Sequence, residues 1–373
     1  MHKNTMTIGR LFGIPIRIHV SWFLIFALVT WSLAQGYFPD RYPAWTTELT
    51  WGIALATTLL FFVSVLLHEL AHSLVARARG LPINDIVLFI FGGVSELTEE
   101  PEKPRIEFQM AIVGPLTSFF LAAVFFFIWL IARTRNLPLA ALSIYLAGIN
   151  ASLGAFNLIP GFPLDGGRVL RAALWSASKS LEKATRWATT VGQIVAYLFI
   201  GLGVLQVLQR QWINGIWLAF IGWFLENAAQ TSYRQVAIKQ FLIRHRVDEA
   251  MNKQCYPLSP DTTLERLVRN YILPLGLRCF PVVEQGEIQG LVSLPLVRKV
   301  PESNWNQVTA RAVMYPLDQV SAVSPNDHLW DALSKMTAEG VEQFPVISDG
   351  ELAGVLTHDN VIRFLREHSR VEV

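Results

Sequence analysis

Two histidines and a glutamate stand close together in His68-Glu69-Leu70-Ala71-His72, at the end of an apolar run that begins at Leu59. Four residues apart on an α-helix, the imidazoles share one face and lie about a turn from each other. That spacing can grip one Zn2+, and the carboxylate between them can serve as the general base that takes a proton from an attacking water. Ionisable side chains are costly in an apolar span, so a cluster of this kind there points to function.

Catalytic zinc takes a third protein ligand and keeps one position open. The stretch Asn157 to Arg171, NLIPGFPLDGGRVLR, offers Asp165 just beyond an apolar span broken by Pro160, Gly161 and Pro163. Interrupted backbone lets a side chain turn inward. Asn157 can donate its amide to a substrate carbonyl oxygen as negative charge develops on it.

The elements that must position these groups follow from the hydrophobic pattern. The chain has 373 residues, 52% hydrophobic and 16% charged, against about 25% charged in ordinary soluble domains. The deficit lies before Asn227; from Arg234 onward the composition is that of a soluble domain. A net charge of +2 is too balanced for a nucleic-acid partner. Six apolar spans near the ~20 residues a bilayer needs can be drawn: Ile18–Phe38, Trp51–Ala76, Phe108–Ala132, Leu139–Ile159, Thr190–Leu208 and Trp212–Ala228. Lys and Arg concentrate before the first span and in every second connection, which places both termini and the tail in the cytosol. His68, His72 and Asp165 then fall at the same depth, towards the cytosolic side. Between the second and third spans, Ile86–Phe91 is β-branched and aromatic and stops at Gly92-Gly93, which reads as a β-hairpin dipping into the membrane. Irregular backbone at that depth needs protein or water to satisfy it, so a polar cavity is expected beside it. The outer edge of the hairpin, near Ile86–Phe91, can pair with an unwound substrate strand. Cys255 and Cys279 read as small buried hydrophobes in a reducing compartment.

The tail contains a repeat. Phe280–Ser293 (FPVVEQGEIQGLVS) matches Phe344–Thr357 (FPVISDGELAGVLT) without a gap, and Leu258–Leu267 answers Val323–Leu333. Each unit reads as alternating strands and helices, with Gln285-Gly286 and Asp349-Gly350 suited to tight hairpin turns.

His68-Glu69-Leu70-Ala71-His72, taken with Asn157, Pro160 and Asp165-Gly166, resembles the site-2 protease family of intramembrane zinc metalloproteases, and the tail repeat resembles a tandem pair of CBS domains. The resemblance implies a multi-pass α-helical membrane protein with about six transmembrane helices and a membrane-associated β-hairpin, followed by a soluble α/β tandem CBS domain. It divides the chain into a metalloprotease domain at 1–232, a linker at 233–246 and a CBS pair at 247–304 and 305–373. It implies that His68, His72 and Asp165 hold one Zn2+, that Glu69 is the base and that Asn157 assists. The implied activity is regulated intramembrane proteolysis, the hydrolysis of peptide bonds in transmembrane helices near the cytosolic side of a prokaryotic cell membrane. CBS pairs imply an adenine nucleotide as regulator and homodimerisation through the tail. The usual ribose contact is a G-x-x-T-x-x-D pattern. Gly354, Thr357 and Asp359 approximate it with one residue fewer between Thr and Asp, and the first unit has Gly290 and Ser293 but Pro295 in place of an acid. A CBS-gated metal transporter or channel stays open as the alternative, since transporters also carry such tails. A transport path would place acids or histidines on several spans.

Overall fold

The computed structural model describes residues 5–90, 92–97, 101–275, 280–292, 294–316, 321–348 and 351–368. The chain forms two compact units, Met1–Tyr233 and Arg234–Val373.

The first unit opens with a hairpin, β1 (Thr5–Leu11) and β2 (Ile14–His19). Its two-residue loop, Phe12-Gly13, has both φ angles positive, 51° and 81°, the backbone of a type I′ turn. The chain continues as α1 (Val20–Ser32), a π turn at Leu33–Tyr37 and α2 (Phe38–Arg41), then α3 (Thr47–Ala78), β3 (Ile83–Phe89) and β4 (Gly92–Leu97). The helices α4 (Pro104–Ala132), α5 (Leu137–Asn157), α6 (Asp165–Ser178), α7 (Leu181–Leu208) and α8 (Trp212–Arg244) follow. Thr46 caps α3 at its start by accepting from the Leu49 N–H. At its end the Gly80 N–H donates to the Arg77 carbonyl, and the Leu81 N–H to the Ala76 carbonyl, at 3.0 and 3.1 Å. Gly80 has φ +83°, so the sequence Arg77-Ala78-Arg79-Gly80-Leu81 stops the helix in a Schellman turn.

The hairpin expected between the second and third spans is present, as half of a larger sheet. The strands run in the order β1-β2-β3-β4, with β2 and β3 parallel and the other neighbours antiparallel. The sequence signal for the other half is the alternation Ile14, Ile16, Ile18, three buried residues at period two. Ile14 and Ile86 pack with Leu70 of α3, and Ile18 and Leu88 with Phe62 and Val65 of the same helix. The sheet thus lies against the half of α3 that carries the histidines. One expectation is corrected here. Ile86 to Leu88 pair with Ile16 to Ile18 on one side and with β4 on the other, so that stretch of β3 has no open edge. Of the β3–β4 hairpin, the strand at the edge of the sheet is β4.

Among the described residues, five helical segments are long and apolar enough to cross a membrane: Val20–Arg41, Thr47–Ala78, Pro104–Ala132, Leu137–Asn157 and Leu181–Leu208. The sixth expected span falls within α8, where Asn214, Glu226 and Asn227 dilute the apolar residues. Residues 233–246, read from the sequence as a linker, are helical in α8 up to Arg244.

In the second unit, α9 (Val247–Ala250) and α10 (Leu264–Leu267) lead through a π turn at Val268–Ile272 and α11 (Leu273–Leu275) to β5 (Phe280–Glu284), β6 (Glu287–Val292) and α12 (Leu294–Arg298). A single 3-10 turn, α13 (Ala310–Val313), β7 (Tyr315–Pro316), α14 (Leu329–Glu339), β8 (Gln343–Ser348), β9 (Glu351–Thr357) and α15 (His358–His368) complete it. Gln285-Gly286 forms the expected tight turn with φ 55° and 88°, whereas Asp349-Gly350 lies outside the described residues. The two repeat units have separate cores that exchange their lead-in segments. Val247 and Ala250 pack with Leu329, Phe344 and Val361 of the second repeat. Ala310 packs with Leu264, Phe280 and Val292 of the first. The cores therefore do not follow the chain division at 304/305. Cys255 is disulfide-bonded, which corrects the expectation of reduced thiols; Cys279 lies outside the described residues.

Candidate metal centre

Three donors converge at the C-terminal part of α3 and the start of α6. His68 Nε2, His72 Nε2 and Asp165 Oδ2 are each 3.2 Å from the other two. Zinc with bonds of ~2.0–2.1 Å in tetrahedral geometry separates its ligands by about 3.3–3.4 Å, so the triangle has the size of one face of such a site. No other group of three such side chains close enough to share an ion occurs among the described residues.

The helix α4 prepares the imidazoles. His72 Nδ1 is 2.6 Å from the Met110 carbonyl, an acceptor only, so Nδ1 carries the proton and Nε2 presents its lone pair. His68 Nδ1 meets the Ser118 hydroxyl at 2.9 Å, leaving its Nε2 towards the same point. Both rings are buried, 4% and 7% exposed. Between these two contacts α4 presents Gly114. A Cβ there would overlap the His72 ring and come within 2.7 Å of His68 Nε2. A side chain of any size would occupy the space between the donors. Met110, Gly114 and Ser118 border the donors, and nothing in their residue types marks them in the sequence.

Asp165 is the first residue of α6, at a helix N-terminus that favours a carboxylate. The two glycines after it let the incoming loop fold back. A Cβ on Gly166 would strike the carbonyls of Leu158 and Ile159, and one on Gly167 the backbone of Gly161 and Phe162. Burial works to raise the Asp165 carboxyl, but its hydrogen bonds and charge interactions with His68 and His72 outweigh that and hold it below the ordinary range. Two imidazole nitrogens and one carboxylate oxygen make the three-ligand donor set that a catalytic zinc site takes from the protein.

Glu69 lies on α3 beside His68 and three residues before His72, hence on an adjoining face. Ser95 of β4 donates to Glu69 Oε2 at 3.1 Å, and Ser73 donates to Ser95 at 3.0 Å. The chain Ser73–Ser95–Glu69 fixes the carboxylate through one oxygen. Strand β4 passes so close that a Cβ on Gly93 would collide with Glu69 Cγ. The amide of Asn157, the last residue of α5, donates to the Leu153 carbonyl of its own helix at 3.0 Å and not to the donor triangle.

In the tail, Thr357 and Asp359 line a cavity of about 850 Å³ together with Arg298, Thr337, Glu342 and His358. The Thr357 hydroxyl donates to Asn360 Oδ1 at 2.6 Å. Arg298, from the first repeat, is a lining residue without a counterpart in the expected pattern.

The model of peptidase family M50 matches residues 56–142 and 132–200, and that of the CBS domain matches 247–298 and 310–367. Rip3 of Mycobacterium tuberculosis, which carries a zinc-metalloprotease name, is 32% identical over 367 residues, covering 97% of this chain and 93% of that protein. The Synechocystis protein sll0528, similarly named, is 33% identical over 369 residues, 98% of this chain and 96% of that protein. A solved site-2 protease from Methanocaldococcus jannaschii matches 61% of this chain and 94% of its own length, with 29% identity and a TM-score of 0.42. With relatives of this identity along nearly the whole chain, the protein belongs to peptidase family M50, the site-2 protease family of membrane-embedded zinc metalloproteases, and carries a CBS pair at its C-terminus.

Proposed function

We propose that this enzyme is an intramembrane endopeptidase that cuts transmembrane helices of other proteins near the cytosolic side, with His68, His72 and Asp165 as its zinc ligands and Glu69 as its general base. The observation that carries the proposal is the donor triangle, with both Nδ1 atoms already engaged and a carboxylate on the adjoining turn held by Ser95. When bound, zinc would polarise the scissile carbonyl and acidify water. The protein's own part is then definite. Glu69 accepts the proton of the attacking water through the oxygen that Ser95 leaves free, and returns it to the departing amine. Asn157 supports the developing oxyanion after releasing Leu153. A substrate helix hides its peptide bonds, so it must unwind first, and the strand beside Glu69 that can receive it is β4. Val94 of β4 is 39% exposed. A cysteine at Val94 should cross-link to a cysteine near the cleavage point, and a cross-link to β3 instead would return the substrate to the inner strand.

The tail supplies regulation in this proposal. An adenine nucleotide occupies the cavity at Thr357 and Asp359, with Arg298 and His358 able to meet its phosphates. The CBS pair also serves as the dimer contact, and both termini lie in the cytosol. Transport has no comparable support, because among the described residues the grouped metal donors gather at one place and not along several helices.

The test is Glu69→Gln in the full chain. Zinc content should equal the wild type while cleavage of a single-span substrate falls by roughly 10²–10⁴-fold, and substrate should co-purify. Unchanged cleavage would remove Glu69 from the chemistry.

A further inference from the structure

Glu107, in the first turn of α4, is completely enclosed, and its partner Arg171 on α6 is only 5% exposed. Arg171 Nε donates to Glu107 Oε1 at 2.6 Å, and Arg171 Nη2 donates to the same oxygen. Arg168 Nε stands 3.9 Å from that oxygen. The Arg171 guanidinium also lies over the Phe162 ring, 4.7 Å from its centroid. The proteolytic mechanism uses none of these groups.

A buried ion pair brings little net stability, because desolvation offsets the attraction; what it fixes is geometry. Glu107 precedes Met110, Gly114 and Ser118 at helical spacing, so it sits on the face of α4 that orients both imidazoles. Arg171 lies on the helix that begins with Asp165, and Phe162 lies in the loop that leads into it. Leu164, the residue capping that helix, makes no side-chain capping bond. Arg171 therefore touches both α4, the helix that orients the imidazoles, and the loop delivering the third donor.

We propose that Arg171, anchored by Glu107 and laid over Phe162, is a positioning residue that sets the distance of the Asp165 carboxylate from His68 and His72. The proposal rests on the metal-centre reading above. It is tested on the full-length protein in detergent with two variants. Arg171→Lys keeps the charge opposite Glu107 but loses the planar fork and the ring contact. The double variant Glu107→Gln/Arg171→Met leaves no buried charge unpaired. Zinc affinity is measured by competition with a chelator, the Co2+-substituted protein by its visible absorption, and the zinc-free protein by thermal unfolding. Both variants should fold with unfolding midpoints close to wild type, bind zinc about 10–100-fold more weakly and show altered Co2+ bands. Wild-type affinity and bands in both folded variants would overturn the proposal. So would weaker zinc binding that only tracks a loss of zinc-free stability, or failure of both variants to fold, since the pair would then hold the bundle and not the ligand. Wild-type protein that binds no zinc would instead sink the metal-centre reading.

Discussion

The metal corner of the membrane unit and the cavity of the tail are built in opposite ways. In the first, three donors lie at equal 3.2 Å separations, and the two imidazoles are fixed by groups on a separate helix. In the second, a cavity of about 850 Å³ is lined by side chains of both charges, and its key hydroxyl already bonds to a neighbouring Asn360. In the proposed reading the first is preorganised for a metal and its reaction. In the proposed reading the second takes a regulatory ligand, and the Thr357 hydroxyl changes partner when it arrives. A catalyst gains from fixed dipoles and ligands, whereas a sensor needs two states that the ligand separates.

Four substitutions would break or sharpen that contrast. The largest effect is expected at Gly114. Gly114→Ala should abolish zinc binding, with at least ~100-fold loss of affinity, while leaving helicity intact, since alanine favours a helix over glycine by about 1 kcal/mol. Circular dichroism and zinc titration together check it; normal zinc affinity would show that the ion does not sit beneath Gly114. Ser95→Ala should cost roughly 10–100-fold in kcat with zinc content unchanged, because a hydrogen bond to a charged group contributes about 1.5–3 kcal/mol. Single-turnover cleavage measures it. Ser118→Ala should weaken zinc by about 10-fold, the low end for removing a partner of a ligating histidine, and a competition titration reads this directly. In the tail, Arg298→Ala should lower affinity for AMP or ATP by roughly 10-fold without altering zinc affinity. Calorimetry on the full chain shows it, and absence of binding in the wild type would leave the tail as an interaction module.

The contrast also explains what was legible. His68, Glu69 and His72 stand out because their types are costly in an apolar segment and their spacing suits one stretch of helix, and Asp165 because it follows an apolar span broken by Pro160, Gly161 and Pro163. Gly114, Ser118 and the Met110 carbonyl do not, because glycine, serine and methionine are ordinary in membrane helices and act here through space, a hydroxyl and the backbone. The second hairpin strand was legible from the β-branched Ile86–Phe91, yet its neighbour β2 was absorbed into the approach to the first span. The alternation Ile14, Ile16, Ile18 behind the Phe12-Gly13 turn was the missed sign. That omission made β3 look like an edge. Helix α8 shows the converse: the apolar half of a 33-residue helix reads as a span, while its polar remainder reads as a linker. The repeat in the tail revealed two similar units, but similarity does not say which core a lead-in segment joins. Val247 and Ala310 each join the other repeat's core.

The most direct test of the central claim joins composition to activity in one preparation. Full-length protein is purified in detergent, its zinc measured by mass spectrometry, and cleavage of a single-span substrate followed before chelation, after it and after zinc is returned. The account predicts one zinc per chain, held through His68, His72 and Asp165 and missing when Asp165 is replaced by alanine, with cleavage lost and regained as the metal leaves and returns. Cleavage that continues in zinc-free protein, or full zinc occupancy in the Asp165→Ala variant, would contradict it.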